Sequence, residues 1–525
     1  MAEQALNDEE LIALRALLTM AANGQSFTDL PHTNNINGLT MAVVDTDGEL
    51  KQVAVSKLFP YLEEQLAYGI EFNTEDLTTD RTRVKRIGNL NLHKANTTEG
   101  LPIQKLMYGG AWNDKGECTE KFNPKSWLEN TRDGSAGQVG VKLPEFYVKE
   151  TLEPEGSGYK CRILISLYPL VGYEKVTSYL EGSYFATVAR AVNGVSDNDT
   201  NKLCSVVNTS EKYRGGLAGA DRDNFTLLGL PRTGLSRLDY RTYAHNRGWG
   251  WNGDLYQSHK ALFLLYVVEY ANFNIQDDYN AILTTEGYKQ GGMGASVTNI
   301  DRTLWNNISA LQPLIPCGVT DSLGNGSGIV EYTATRTDVA SGTTYSKTFN
   351  VHRYRGIEMA FFGCIYTWQD YVNLLYTTEI VNGVTTGRIK AYVCNDTTLH
   401  KNNDDANYNA SVPIPTGYEF IGNLPVTNGY IKNLMWGKAC EIVPKEVNNG
   451  ATSNNCIGDY YYCHDWLHKD SAGNYDYQSI YTNKTLRGLL AGGFAHNGAS
   501  AGLASTNTNN APSDTNANIG SRLNF

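Results

Sequence analysis

Apolar residues recur at two spacings along the chain, and the change from one to the other divides it. In residues 8–22, DEELIALRALLTMAA, they fall three and four apart; Asn7 as cap, Glu10 as capping-box partner and Gly24 as stop predict a helix. Leu11, Leu14 and Leu18 sit at the spacing of a helical seam, which suits a small bundle between subunits or one face packed on the helix's own domain. In TMAVVDTDGELKQVAV two apolar-rich runs flank Asp47-Gly48, a hairpin signal, and a second helix is predicted near residues 56–68. The polar run 71–83, EFNTEDLTTDRTR, then predicts a boundary: residues 1–82 read as a mounting or oligomerisation region and 83–525 as the main domain.

From Gly134 the spacing becomes that of strands. GQVGVKLPEFYVKE, YKCRILISLYPLVG and the run 183–191 predict antiparallel strands joined by Gly and Pro turns. Two helices interrupt them, near residues 236–246 and 254–272; the second is apolar nearly all round in its middle and is expected to lie buried against a sheet. Residues 321–350 read as a polar hairpin insertion and 395–411 as a polar surface loop. The organisation is α+β.

The end of the chain, FAHNGASAGLASTNTNNAPSDTNANIGSRLNF over residues 494–525, has the composition of a disordered tail. Its last residues read differently. Ala517, Ile519, Ser521, Leu523 and Phe525 alternate with Asn518, Gly520, Arg522 and Asn524, the period of a strand with one buried face and one exposed.

Charge narrows the partners. A net charge of −11 opposes binding along a phosphate backbone, so no nucleic acid is expected. MAEQALNDEEL lacks a basic region followed by an apolar stretch, so no secretory signal is expected; the longest apolar run, 261–268, is far short of the ~20 residues that span a bilayer, so neither is membrane insertion. Nine cysteines without a CxxC read as reduced thiols. Cys456, Cys463, His464 and His468 do not match paired-ligand spacings, Asp45 and Asp47 lack the further ligands of a calcium loop, and YKQGGMGA at 288–295 lacks the ending of a phosphate loop and reads as flexible. The expectation is no metal and no cofactor.

Several segments carry a family resemblance. YRGIEMAFFGCIYTWQD, 354–370, resembles a signature of the formylglycine-generating-enzyme branch of the C-type lectin fold through Gly356, Ile357, Glu358, Gly363, Tyr366 and Trp368. LRGLLAGG at 486–493 and IGSRLNF at 519–525 resemble that fold's closing strands, and VGVKLPEFY at 139–147 its opening strand. The C-terminus further resembles the variable proteins of diversity-generating retroelements, which close on GSRL. IGNLNLH at 87–93, DGSAGQ at 133–138, and the stretches 202–216 and 235–274 resemble tail-associated proteins of phages from gut Bacteroides-type hosts.

The resemblance implies a C-type lectin-like domain with insertions and a diversified surface on residues 494–525. Retroelement mutagenesis changes adenines, and an Asn codon scatters to Ser, Thr, Asp, His, Tyr, Ala or Phe without a stop. Phe494, His496, Asn497, Ser500, Ser505, Asn509, Asn510, Asp514, Asn516 and Asn518 match the family's variable positions, and all are reachable in that way. Between them stand Gly492, Gly493, Gly498, Ala499, Ala501, Gly502, Leu503, Ala511, Pro512, Ile519, Gly520 and Leu523, small or apolar residues suited to hold a backbone. The implied protein is a receptor-binding tail protein of a phage virion, made in the host cytoplasm, joined to other tail proteins, homo-oligomeric with a trimer favoured, and contacting a bacterial surface receptor. A bacterial surface adhesin diversified in the same way is the alternative. With few aromatic side chains among the variable positions, modest affinity multiplied by many copies is expected.

Two enzyme readings compete. The copper oxidases of this fold work through a late cysteine pair, but no Cys follows Cys463, so no enzyme of that type is expected. A tail-associated glycan hydrolase would need two facing carboxylates, and Asp221, Asp223, Asp239 and Asp254 are the acids near aromatic residues. RGWGWNG at 247–253 offers Trp rings that suit a carbohydrate platform, but reads first as the turn leading into the buried helix.

Overall fold

Tyr366–Val381, YTWQDYVNLLYTTEIV, is the longest strand among the described residues, and its aromatic and β-branched side chains are buried on both faces over most of its length. The computed structural model describes residues 40–44, 50–74, 83–95, 100–156, 158–216, 228–294, 314–337, 342–397, 414, 417–437, 441–448, 459–463, 468–469, 475–476 and 485–525. Backbone groups enclosed in this way need hydrogen-bond partners along both edges. Val384–Cys394 returns along one edge through the Asn382-Gly383 turn, and Thr485–Ala491 pairs along the other, both antiparallel.

The sheet built on this strand runs in the order Tyr418–Leu424, Val384–Cys394, Tyr366–Val381, Thr485–Ala491, Thr506–Asn507, Tyr460–Tyr462, Gly429–Trp436, Ile442–Asn448. Its first and last strands lie against each other, so the sheet curls into a nearly closed barrel. Ile519–Gly520 adds a short parallel pairing to the start of the long strand.

Two antiparallel sheets from the first half of the chain complete the frame. One has the order Glu174–Val176, Phe146–Glu155, Gly158–Ser166, Ala67–Asn73, Lys85–Gly88; the other Leu180–Gly182, Gln138–Lys142, Tyr108–Trp112, Cys118–Lys121. The molecule is thus mainly β, with few helices. Ala67–Asn73 lies between Gly158–Ser166 and Lys85–Gly88, so this sheet crosses the boundary expected at residue 82, and the polar run at 71–83 opens as a strand instead of a linker. The predicted hairpin is present as Thr40–Val44 paired with Leu50–Ala54, and the predicted helix follows as α1, Val55–Leu66. Residues 8–22 and the seam read there lie outside the described residues.

Of the remaining helices, α2 spans Arg237–His245 and α3 Tyr256–Tyr270, close to their predicted limits. The Ser236 hydroxyl accepts from the Asp239 amide while the Asp239 carboxylate accepts from the Ser236 amide, a complete capping box at the start of α2. Helix α3 is buried almost all round, as its sequence predicts, against Tyr366–Val381 and Ala67–Asn73. Each large apolar side chain so enclosed contributes about 1.5–3 kcal/mol. Its one buried acid, Glu269, is held bidentate by Arg355 at 2.6 and 2.7 Å and by the Tyr354 hydroxyl at 3.1 Å, which compensates the desolvated charge.

Three local expectations are corrected. Residues 183–191 contribute only the short strand Thr187–Val188, because Ser183 to Phe185 turn inward to the core. The 321–350 segment does contain a hairpin, Gly328–Thr337 with Thr344–Tyr354, but Asp321 at its start is fully buried beneath Tyr184 and Arg353. The stretch 288–295 is not a flexible loop in its described part: Gln290–Gly291 pairs with Tyr279–Asn280, and Met293 is buried with its amide on the Ile275 carbonyl.

Candidate functional site

After Thr485–Ala491 the chain turns at Gly492, whose φ of +83° and closeness to the Phe361 carbonyl leave no room for a side chain. Two loops follow. The first, residues 493–505, is pinned from within by Ala495, Gly498, Ala501, Gly502, Leu503 and Ala504, all buried. Thr506–Asn507 rejoins the sheet, and the second loop, residues 508–518, anchors through Thr508 and Pro512. The Pro512 carbonyl accepts from Arg237 N at 3.0 Å, and the Asn516 carbonyl from Gly234 N at 3.2 Å, so the second loop lies over the start of α2.

Nine of the ten matched variable positions are open to solvent: His496 and Asn516 are exposed, and Phe494, Asn497, Ser500, Asn509, Asn510, Asp514 and Asn518 are half-buried. Ser505 is the exception. It is 2 % exposed, and its hydroxyl donates to the Tyr460 carbonyl at 3.0 Å, so it belongs to the scaffold.

The open positions are not equally free. Asn497 Oδ1 accepts from the Phe494 amide at 2.8 Å, while its Nδ2 donates to the Tyr462 hydroxyl at 3.1 Å, so this side chain ties the first loop to the sheet. Asp514 Oδ2 accepts from Asn510 Nδ2 and from the Ala511 amide, both at 3.1 Å, and closes the second. The loops meet at Tyr366, whose ring lies 5.2 Å from that of Phe494 and whose amide donates to the Asn518 carbonyl at 3.0 Å.

The end of the chain departs from the expected half-exposed strand. Gly520, Ser521, Arg522, Leu523 and Asn524 are all buried, on both sides of the alternation. Arg522 donates to the carbonyls of Gly182, Glu358 and Met359 at 3.2, 2.8 and 2.6 Å and stands 3.7 Å from Glu181, while Asn524 Nδ2 donates to Glu181 at 2.7 Å. Asn252 and Leu180 exchange backbone hydrogen bonds with Asn524 and Phe525. The closing residues are therefore threaded through the interior as a structural bolt, not laid on its surface.

Several carboxyls here are buried. Burial pushes Glu181 up to about 8 and Asp254 up to about 6, with Arg522 opposing both. Burial pushes Asp459, under the first loop, up to about 7 against the hydrogen bond it takes from the Ala504 amide at 2.6 Å. Glu358, one of the residues of the lectin-like signature, sits at about 7 through burial and the nearby Asp321, and accepts from the Gly318 and Thr320 amides. Among the acids weighed for a hydrolase, Asp239 caps α2 and Asp254 is buried against Gln369, while Asp221 and Asp223 lie outside the described residues. Trp251 is in the core with its indole donating to the Asp114 carbonyl, whereas Trp249 of the same turn is exposed.

Sequence reasoning passed over Tyr430, Tyr460 and Tyr462, which stand half-buried beside the first loop. Their signal was the alternation in the run Tyr460–Tyr462: the middle ring, Tyr461, is fully buried, so the outer two share the opposite face. Among the described residues, no group of three or more His, Cys, Asp and Glu is placed to hold a metal, and no helix is long and apolar enough to cross a membrane. Cys456 and His464 are outside the described residues, and Cys463 is buried. No family model and no curated protein matches the chain.

Proposed function

We propose that this chain is a receptor-binding protein of C-type lectin-like fold, mounted on a phage tail through its N-terminal region and presenting residues 494–518 to a bacterial surface receptor. The observation that carries the reading is the sorting of that segment: Ala495, Gly498, Ala501, Gly502, Leu503, Ala504 and Pro512 are buried, while nine matched positions open to solvent. Ala499, exposed, and Ala511, half-buried, depart from the expected scaffold. A backbone held mainly by its buried residues, with Asn497 and Asp514 adding ties of their own, tolerates exchange at the remaining open positions and loses little entropy on binding. The reading includes a virion location, self-association with a trimer favoured, neighbouring tail proteins as partners, and no catalytic step or cofactor.

The test replaces Phe494, His496, Asp514 and Asn516 together and measures attachment to host cells. Attachment is expected to fall, with the far-ultraviolet circular dichroism unchanged. Undiminished attachment by a folded variant rejects the assignment.

A further inference from the structure

Beside the variable positions lies a row of side chains that belongs to the sheet. Tyr460 and Tyr462 share one face of their strand with ring centroids 4.4 Å apart, and Tyr430, directly across the antiparallel pair from Tyr460, sets its ring edge-on at 5.0 Å. Regular backbone holds all three: Tyr461 and Tyr462 pair parallel with Thr506 and Asn507, and the buried Tyr461 hydroxyl donates to the Pro425 carbonyl. Such a row is placed with the accuracy of a sheet, not of a loop.

Variable positions border this row. The Tyr462 hydroxyl accepts from Asn497 Nδ2 at 3.1 Å and lies 3.5 Å from Ser500 Oγ. On the other side of Asn497, Tyr366 bonds its side chain to Asn497 and Asn507, and its ring carries Phe494, with His496 6.0 Å beyond. One amide thus joins two groups of aromatic rings. The polar groups that Asn497 and Ser500 bring to the row are an amide and a hydroxyl.

We propose that Tyr430, Tyr460 and Tyr462 are a fixed aromatic platform for a neutral saccharide, whose hydroxyls are read by Asn497, Ser500 and their neighbours. Aromatic side chains offer an apolar face with a polar tip, which suits the C–H faces and hydroxyl edges of a sugar ring. Charge favours the neutral class: Lys432, two positions from Tyr430 on the same strand, is paired with Glu446 at 3.1 Å, and a chain of net charge −11 repels anionic sugars at long range. A platform outside the variable set also supplies the anchoring area that the variable positions themselves provide sparingly. The inference rests on the receptor-binding reading and names its ligand class.

The experiment applies the full chain to an array of neutral and acidic oligosaccharides and titrates the best neutral member. Saturable binding of a neutral oligosaccharide is expected. The double variant Tyr460→Ala/Tyr462→Ala should weaken it about tenfold or more, the loss typical of aromatic anchors, while Tyr460→Phe should stay close to wild type. Circular dichroism and melting confirm folding, and Tyr430→Ala provides a second route if the double variant unfolds. Binding confined to acidic members, no binding to any neutral member, or binding indifferent to these alanines in folded protein overturns the proposal. The two readings fail separately. A blank array with cell attachment still dependent on Phe494 and His496 leaves receptor binding intact and points to a protein receptor. Tyrosine-dependent saccharide binding with attachment indifferent to the variable positions keeps the platform and removes the displayed surface.

Discussion

Asp459 precedes the tyrosine strand and lies under the loop 493–505, where Gly502 comes so close that any side chain there would strike its carboxyl. Its carboxyl rises from 3.8 to about 7, so the folded protein keeps a proton that the unfolded chain releases. A raised folded value gives stability that is complete below the unfolded value and is lost as pH climbs through the folded one. The window is therefore from about pH 4 to about pH 7. Asp459→Asn keeps an acceptor for the Ala504 amide and abolishes the titration. Urea denaturation from pH 4 to pH 8 should show the variant gaining on the wild type across that window; parallel profiles would contradict the assignment. None of this could be read in the sequence, where Asp459 is an ordinary acid before three tyrosines. Its burial is decided by Gly502 and Ala504, more than forty positions away.

At the scale of elements, α2 was legible because its signals are local: Ser236 and Asp239 stand three apart and cap each other. What α2 does was not legible. Its Arg237 donates to the Val372 carbonyl and Asn373 Oδ1, both at 2.6 Å, and Arg241 pairs with Asp370, at the place where Tyr366–Val381 shifts register between Gln369 and Leu374. A bulge frees backbone groups, and Arg237 satisfies one of them, the Val372 carbonyl, from an element 135 residues distant, while Arg241 holds the Asp370 carboxylate beside it. Ser236→Ala should lower stability by about 1 kcal/mol, read from the denaturant midpoint at unchanged slope. No measurable change would mean that the cap is supplied by other groups.

For the molecule as a whole, the proposed display requires that stability be indifferent to what the open matched positions hold wherever, unlike Asn497 and Asp514, they do not tie the loops. His496→Tyr and Asn516→Tyr should each change unfolding free energy by less than about 0.5 kcal/mol, as exposed substitutions do. Ser505→Tyr should cost about 1–3 kcal/mol, because it forces a large ring into a closed space. Equal tolerance at all three positions, measured by chemical denaturation, would remove the division between scaffold and surface. The sequence grouped Ser505 with the display because it sees only residue type and match; burial against Tyr460 separated it.

What depends on neighbours along the chain was legible before folding: the limits of α2 and α3, the early hairpin, the strands at 138–166, and the alternation of small and polar residues after Gly492. What depends on distant partners was settled by packing. Packing buried Arg522 and Asn524, which alternation alone would have exposed, because Glu181 and the carbonyls of Gly182, Glu358 and Met359 receive them inside. It also brought Tyr430, Tyr460 and Tyr462 beside Asn497 and Ser500, since neighbourhood across a sheet is set by strand pairing and leaves no trace in local periodicity.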